Sequence, residues 1–147
     1  MVKIMKKRSL AQRLLGIISF VEMANGVALL LLFVLLSFGV SLLVAGGNEE
    51  IKRFSPGEII FGAFMLLVNL VLIFIEARNL KAVSKDENRH EKALTSTMVL
   101  LAYEIFYFII SLGVGVPNNF SALLFSIFTN LIVVFLISRV RMQTGKM

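Results

Sequence analysis

One acid stands alone in a long apolar run: Glu104, inside the otherwise uncharged stretch from Ala93 to Val116. At the centre of a bilayer helix an acid costs at least about 2.5–3.5 kcal/mol on insertion scales. A buried polar partner, a water-filled cavity or a proton on the carboxyl can offset that cost. Thr97, Leu100, Tyr107 and Ser111 fall on the same side as Glu104 at helical spacing. The other apolar runs place Asn69, Asn130 and Ser126 at similar depth, and the first run offers Ser37 and Ser41. One polar group per run near the midplane is the pattern of an interior cluster built around a carboxyl.

Two chemistries fit this cluster. In the first, Glu104 is a proton- or cation-binding carboxyl of a small transporter or channel, helped by Asn69, Asn130, Tyr107 and Ser126. In the second, the same side chains are interhelical glue, each hydrogen bond worth about 0.6–2 kcal/mol. Glu22 and Glu76 fall near the ends of their runs, where an interfacial acid needs less explanation.

Little else in the chain is equipped for chemistry. Cys is absent, so no disulfide, zinc–thiolate site or redox thiol is available. The lone His90 has Glu87 and Glu91 nearby, but no second His or Cys completes a typical metal site. No nucleophile elbow, phosphate-binding loop or pair of catalytic carboxylates occurs. The expectation is a non-enzymatic protein with no cofactor and no metal. Asn119-Phe120-Ser121 has the form of a glycosylation sequon, pressed against an apolar run.

The elements that must position these residues follow from composition. Hydrophobic residues make up 58% of the 147 and the mean hydropathy is +0.89, against roughly 45–50% apolar residues in soluble domains. They are concentrated in runs without strict alternation, which excludes a membrane barrel and leaves helices. Four spans are expected, over about 26–47, 59–76, 93–116 and 120–138. Ser55-Pro56-Gly57-Glu58 is helix-start chemistry for the second. Pro117-Asn118-Asn119 is a tight turn, making an antiparallel hairpin of the last two.

Residues 1–24 begin with basic side chains and end at Glu22 and Asn25-Gly26. One long tilted helix over 10–46 is possible. The preferred reading is an amphipathic helix at the membrane interface that ends near Asn25-Gly26, since about 20 residues suffice to cross. The following uncharged run is too long for a cleaved signal peptide.

Charge sets the expected orientation. Thirteen Lys and Arg fall in the N-terminal segment, the 77–92 loop and the C-terminal tail, and only Lys52 and Arg53 fall in the opposite loops. By the positive-inside rule both termini face the cytoplasm, most naturally across a plasma (inner) membrane. Lys3, Lys6, Lys7, Arg8 and Arg13 would bind anionic lipid headgroups at about 1 kcal/mol per cation. The net charge of +6 belongs to this orientation signal and not to nucleic acid. An internal echo, NLVLIFIEAR (69–78) against NLIVVFLISR (130–139), is consistent with a duplicated hairpin.

The expected fold is therefore an all-α, polytopic four-helix membrane bundle of two antiparallel hairpins, with an N-terminal amphipathic interfacial helix. The preferred function is helix–helix association, as a subunit, accessory or regulatory partner of a larger membrane assembly or as a homo-oligomer. The small transporter or channel using Glu104 is the rival.

Overall fold

The computed structural model describes residues 8–46, 56–114 and 120–145. Four helices account for nearly all of them: α1 (Leu10–Ala45), α2 (Pro56–Lys85), α3 (His90–Val114) and α4 (Phe120–Thr144). The stretches Leu10–Gly39, Gly57–Lys85, Glu87–Gly113 and Ser121–Thr144 are each long and apolar enough to cross a membrane. Lys3, Lys6 and Lys7, the Ser55 cap, the Pro117–Asn119 turn and the sequon's Asn119 lie outside the described residues, as does the side chain of Ser41.

A reciprocal capping box starts α1. The Ser9 amide donates to Gln12 Oε1 (3.0 Å), and the Gln12 amide donates to Ser9 Oγ (3.2 Å), which satisfies two orphan donors of the first turn. From there α1 runs 36 residues without interruption, about 54 Å at 1.5 Å per residue. The break expected at Asn25-Gly26 is absent, and the segment read as an amphipathic surface helix is the first half of α1. Its polarity explains why. Gln12 and Ser19 are buried and Glu22 is half-buried, while Leu10, Ile17, Phe20 and Val21 are exposed. The inward face mixes Gln12, Leu15 and Ser19 and the outward face mixes Arg13 with Leu10, Ile17, Phe20 and Val21, so no polar face opposes an apolar one as a helix lying on an interface requires.

Gly26 is a packing position. A Cβ there would meet Phe74 Cζ at 3.1 Å and Ile73 Cγ2 at 3.3 Å, and one on Gly16 would meet Ser84 Cβ at 3.3 Å. Missing side chains let α1 and α2 approach closely. Two side chains of α1 then donate to carbonyl oxygens of α2: Ser19 Oγ to Ala77 (2.7 Å) and Gln12 Nε2 to Val83 (3.4 Å). Residue numbers rise along α1 as they fall along α2, so the two run in opposite senses. Filling the Gly26 contact should cost about 1–3 kcal/mol through overpacking. Gly26→Leu is expected to lower the melting temperature in detergent by several degrees. Gly39→Leu, where a Cβ meets nothing within 4 Å, is expected to leave it unchanged.

The segment expected as a 77–92 loop is almost wholly helical. α2 continues to Lys85, and a 3-10 turn over Glu87–Arg89 leads directly into α3. Asp86 caps that turn, accepting from the Asn88 amide (3.1 Å) and lying 3.6 Å from Arg89 Nε. At this end of the molecule all four helices contribute to one apolar core: Leu15, Leu80, Val83, Ala93, Val133, Ile137 and Val140. The outer surface is also apolar. Phe20, Leu35, Phe38, Phe125 and Phe128 are all more than 60% exposed, far beyond the scattered apolar exposure of a water-facing protein.

A carboxyl-lined cavity between the helices

The stripe expected on α3 forms its inner face. Thr97, Leu100, Glu104 and Ser111 are buried, and Tyr107 is half-buried. Glu104 receives two hydrogen bonds from α4: Ser126 Oγ donates to Oε1 (2.5 Å) and Asn130 Nδ2 donates to Oε2 (2.8 Å). Ser126 and Asn130 stand four residues apart, so one face of α4 presents both donors to one carboxyl. Asn69 of α2 lines the same cavity as Glu104, with its Oδ1 buried and unpaired. Asn130 Oδ1 is likewise buried without a partner.

The cavity is a half-open hollow of about 380 Å³ lined by all four helices. Its polar lining, Glu22, Asn25, Asn69, Glu104 and Ser126, is contributed by all four helices. Its aromatic lining comes from α3. Tyr103 and Tyr107 stack with ring centroids 6.4 Å apart and planes 9° from parallel, and the Tyr103 hydroxyl donates to the Met65 carbonyl across the α2–α3 contact (2.5 Å). Leu29, Met65, Leu66, Ile73 and Leu123 complete an apolar lining. No lining residue is basic. A second hollow of about 550 Å³, between α2 and α3, differs in this respect, because Lys92 accompanies Glu91 there.

Three acids thus converge inside the bundle where one was expected. Glu22 and Glu104 line the cavity, and Glu76 lies one turn beyond the cavity residue Ile73, about 4.5 Å further along α2. The three carboxyls are within electrostatic reach of one another. Glu76 is not the easily solvated interfacial acid its position near a run end suggests. It is 0% exposed, and neither of its oxygens has a hydrogen-bond partner. Thr97 of α3 is its polar neighbour, but no hydrogen bond meets geometric limits, and Thr97 Oγ1 is itself unpaired. The ion pair of Arg89 with Asp86 lies away from these acids, in the α2–α3 turn.

From α1 the cavity takes Glu22 and Asn25, not the expected serine: Ser37 is exposed and donates to its own helix at the Phe33 carbonyl (2.7 Å). His90 Nδ1 lies 2.8 Å from the Glu87 carbonyl oxygen, so the imidazole is engaged with backbone. Among the described residues no group of three or more His, Asp or Glu side chains is arranged to hold a metal ion. Arg8 and Arg13, assigned to lipid headgroups, are exposed at the start of α1.

Nothing in this geometry is a nucleophile with its base. What it offers is a hollow of ligand size whose lining combines carboxyls with aromatic and apolar surface. No protein-family model, curated protein or solved structure matches this chain.

Proposed function

We propose that the chain is a small integral membrane transporter in which Glu104 and Glu22 bind a cation between the helices. The observation that carries this reading is the cavity itself: two carboxyls, no lining base and about 380 Å³ of space. A proton alone needs no such volume. A hard metal cation prefers six or more oxygen ligands in a tight shell, and this lining is largely apolar and aromatic. A small organic cation with an apolar body suits all three surfaces: its charge meets the carboxyls, and its body meets the stacked tyrosines and the Leu, Ile and Met side chains. Protons on the same carboxyls would compete with the cargo, which supplies a coupling ion.

The bundle would span the bilayer as two antiparallel hairpins with both termini cytoplasmic, its exposed Leu and Phe side chains facing lipid. The cavity reaches Ala122 and Leu123 in the first turn of α4, and the apolar core closes the opposite, terminal end. Entry from the outer face is the access this arrangement favours. Association with a larger assembly is less well supported, because the small residues Gly16, Ser19 and Gly26 are used within the chain, between α1 and α2.

Reconstituted proteoliposomes test the reading. A proton gradient should drive uptake of benzyltrimethylammonium, a permanently charged aromatic cation, at rates well above those of protein-free vesicles. Absence of flux under gradients of either direction would remove the transporter. Topology is a separate expectation: tags at residues 50 and 118 should both be labelled from outside intact cells, and cytoplasmic labelling of either breaks the four-span arrangement.

A further inference from the structure

From the isolation of its side chain, we propose that Glu76 is a proton-binding site distinct from the cargo cavity, emptied in part when a cation occupies Glu22 and Glu104. This rests on the cavity reading above and adds a second ligand, the proton, at a second place. The first observation is geometric: Glu76 has no exposed surface and two oxygens without a donor. A carboxylate in such a place would be an uncompensated buried charge, whereas a carboxylic acid is only an unpaired polar group, costing about 1–3 kcal/mol. The second is the neighbouring Thr97 hydroxyl, also buried and unpaired, which can accept from the acid or donate to the carboxylate. Thr97 would thus serve either state once the pair closes to hydrogen-bond distance.

The surroundings give the direction of coupling. Glu22 of α1 and Glu104 of α3 line the cavity together with Ile73 of α2, which stands one turn before Glu76. On the terminal side, α2 and α4 contribute the apolar Leu80, Val133 and Ile137, and Arg139 of α4 is exposed over the Phe135 ring, 5.3 Å from its centroid. The charges that act on Glu76 are thus the two cavity acids. Burial without a donor favours the acid form of Glu76, and the two cavity carboxyls, while ionised and empty, add repulsion to it. A monovalent cation bound between them offsets half of that repulsion, so the O–H bond of Glu76 breaks in a fraction of the molecules and the proton passes to solution. Each proton released leaves as a cation enters, with no other bond changed.

Difference infrared spectroscopy of the purified full chain in lipid tests this directly. The wild type should show a carboxylic-acid C=O band that shifts in heavy water, and Glu76→Gln should remove that component. If Glu76→Gln does not fold, Thr97→Val should shift the same band by removing the neighbouring hydroxyl. Adding benzyltrimethylammonium should deplete the band in the wild type, with release of protons to a pH dye. Glu76→Gln should cut that release at least about twofold and, because binding and release are linked, weaken probe binding by up to about threefold, the factor that a partial release implies.

A band present in wild type and unchanged in both variants would overturn the proposal. So would a carboxylate band in its place that moves with Na⁺, which would assign the site to a metal cation. Failure of the cavity reading looks different: no variant would bind the probe, while the Glu76 acid band would persist.

Discussion

Glu104→Gln is expected to reduce flux of an organic cation by at least about 30-fold while leaving the helices in place. Removing one partner from a desolvated charge pair costs about 2–5 kcal/mol, and the carboxyl is the charge in this lining closest to the tyrosines in sequence. The fold should survive because the amide can keep both contacts with α4. Its oxygen accepts from Asn130 Nδ2, and its NH₂ donates to Ser126 Oγ, reversing the bond that Ser126 donates in the wild type (2.5 Å). The check is proteoliposome uptake together with thermal melting of the same preparation. Flux at the wild-type rate would show that Glu104 is a packing residue only.

Glu76→Leu should have the opposite effect on stability. The wild-type side chain is buried with two unpaired oxygens, one helical turn before the core residue Leu80 on the same helix. A leucine of similar volume removes the desolvation penalty and adds apolar contact, so a gain of about 1–3 kcal/mol is expected. The melting temperature in detergent should rise by several degrees. Transport coupled to protons should be lost in the same variant. Natural chains retain such a stabilising opportunity unused where a site needs the destabilised group. A fall in melting temperature would mean that Glu76 has a partner whose loss the leucine cannot offset.

Glu104 was legible in the sequence because its cost is local: an acid with eleven uncharged residues before it and twelve after it in a mainly apolar run has no interface to reach. Its α4 partners were legible for the same reason, as polar residues at matching depth on an antiparallel neighbour. Glu22 and Glu76 were not. Both sit near run ends that read as interfacial, yet α1 and α2 are 36 and 30 residues long, much longer than a span requires. Whether an acid near the end of so long a helix meets headgroups or protein is decided by the neighbouring helix. Here Gly16 and Gly26 bring α2 close enough to enclose both.

Asn25-Gly26 misled for a related reason. The pair carries turn chemistry, but Gly in a helix costs only about 1 kcal/mol relative to Ala, less than the close contact with Phe74 and Ile73 returns. Tyr103 was missed because its hydrogen bond goes to a backbone carbonyl, that of Met65. No residue type in the sequence marks such an acceptor.

Equilibrium binding to the purified protein, comparing benzyltrimethylammonium with neopentylbenzene, its uncharged isostere, measures the charge preference of the cavity directly. The cation should bind at least about tenfold more tightly than the isostere, a difference of about 1.4 kcal/mol, and the Glu22→Gln, Glu104→Gln double variant should abolish that preference. Equal binding of the two compounds, or a preference that persists in the double variant, would contradict a cation site built on these carboxyls.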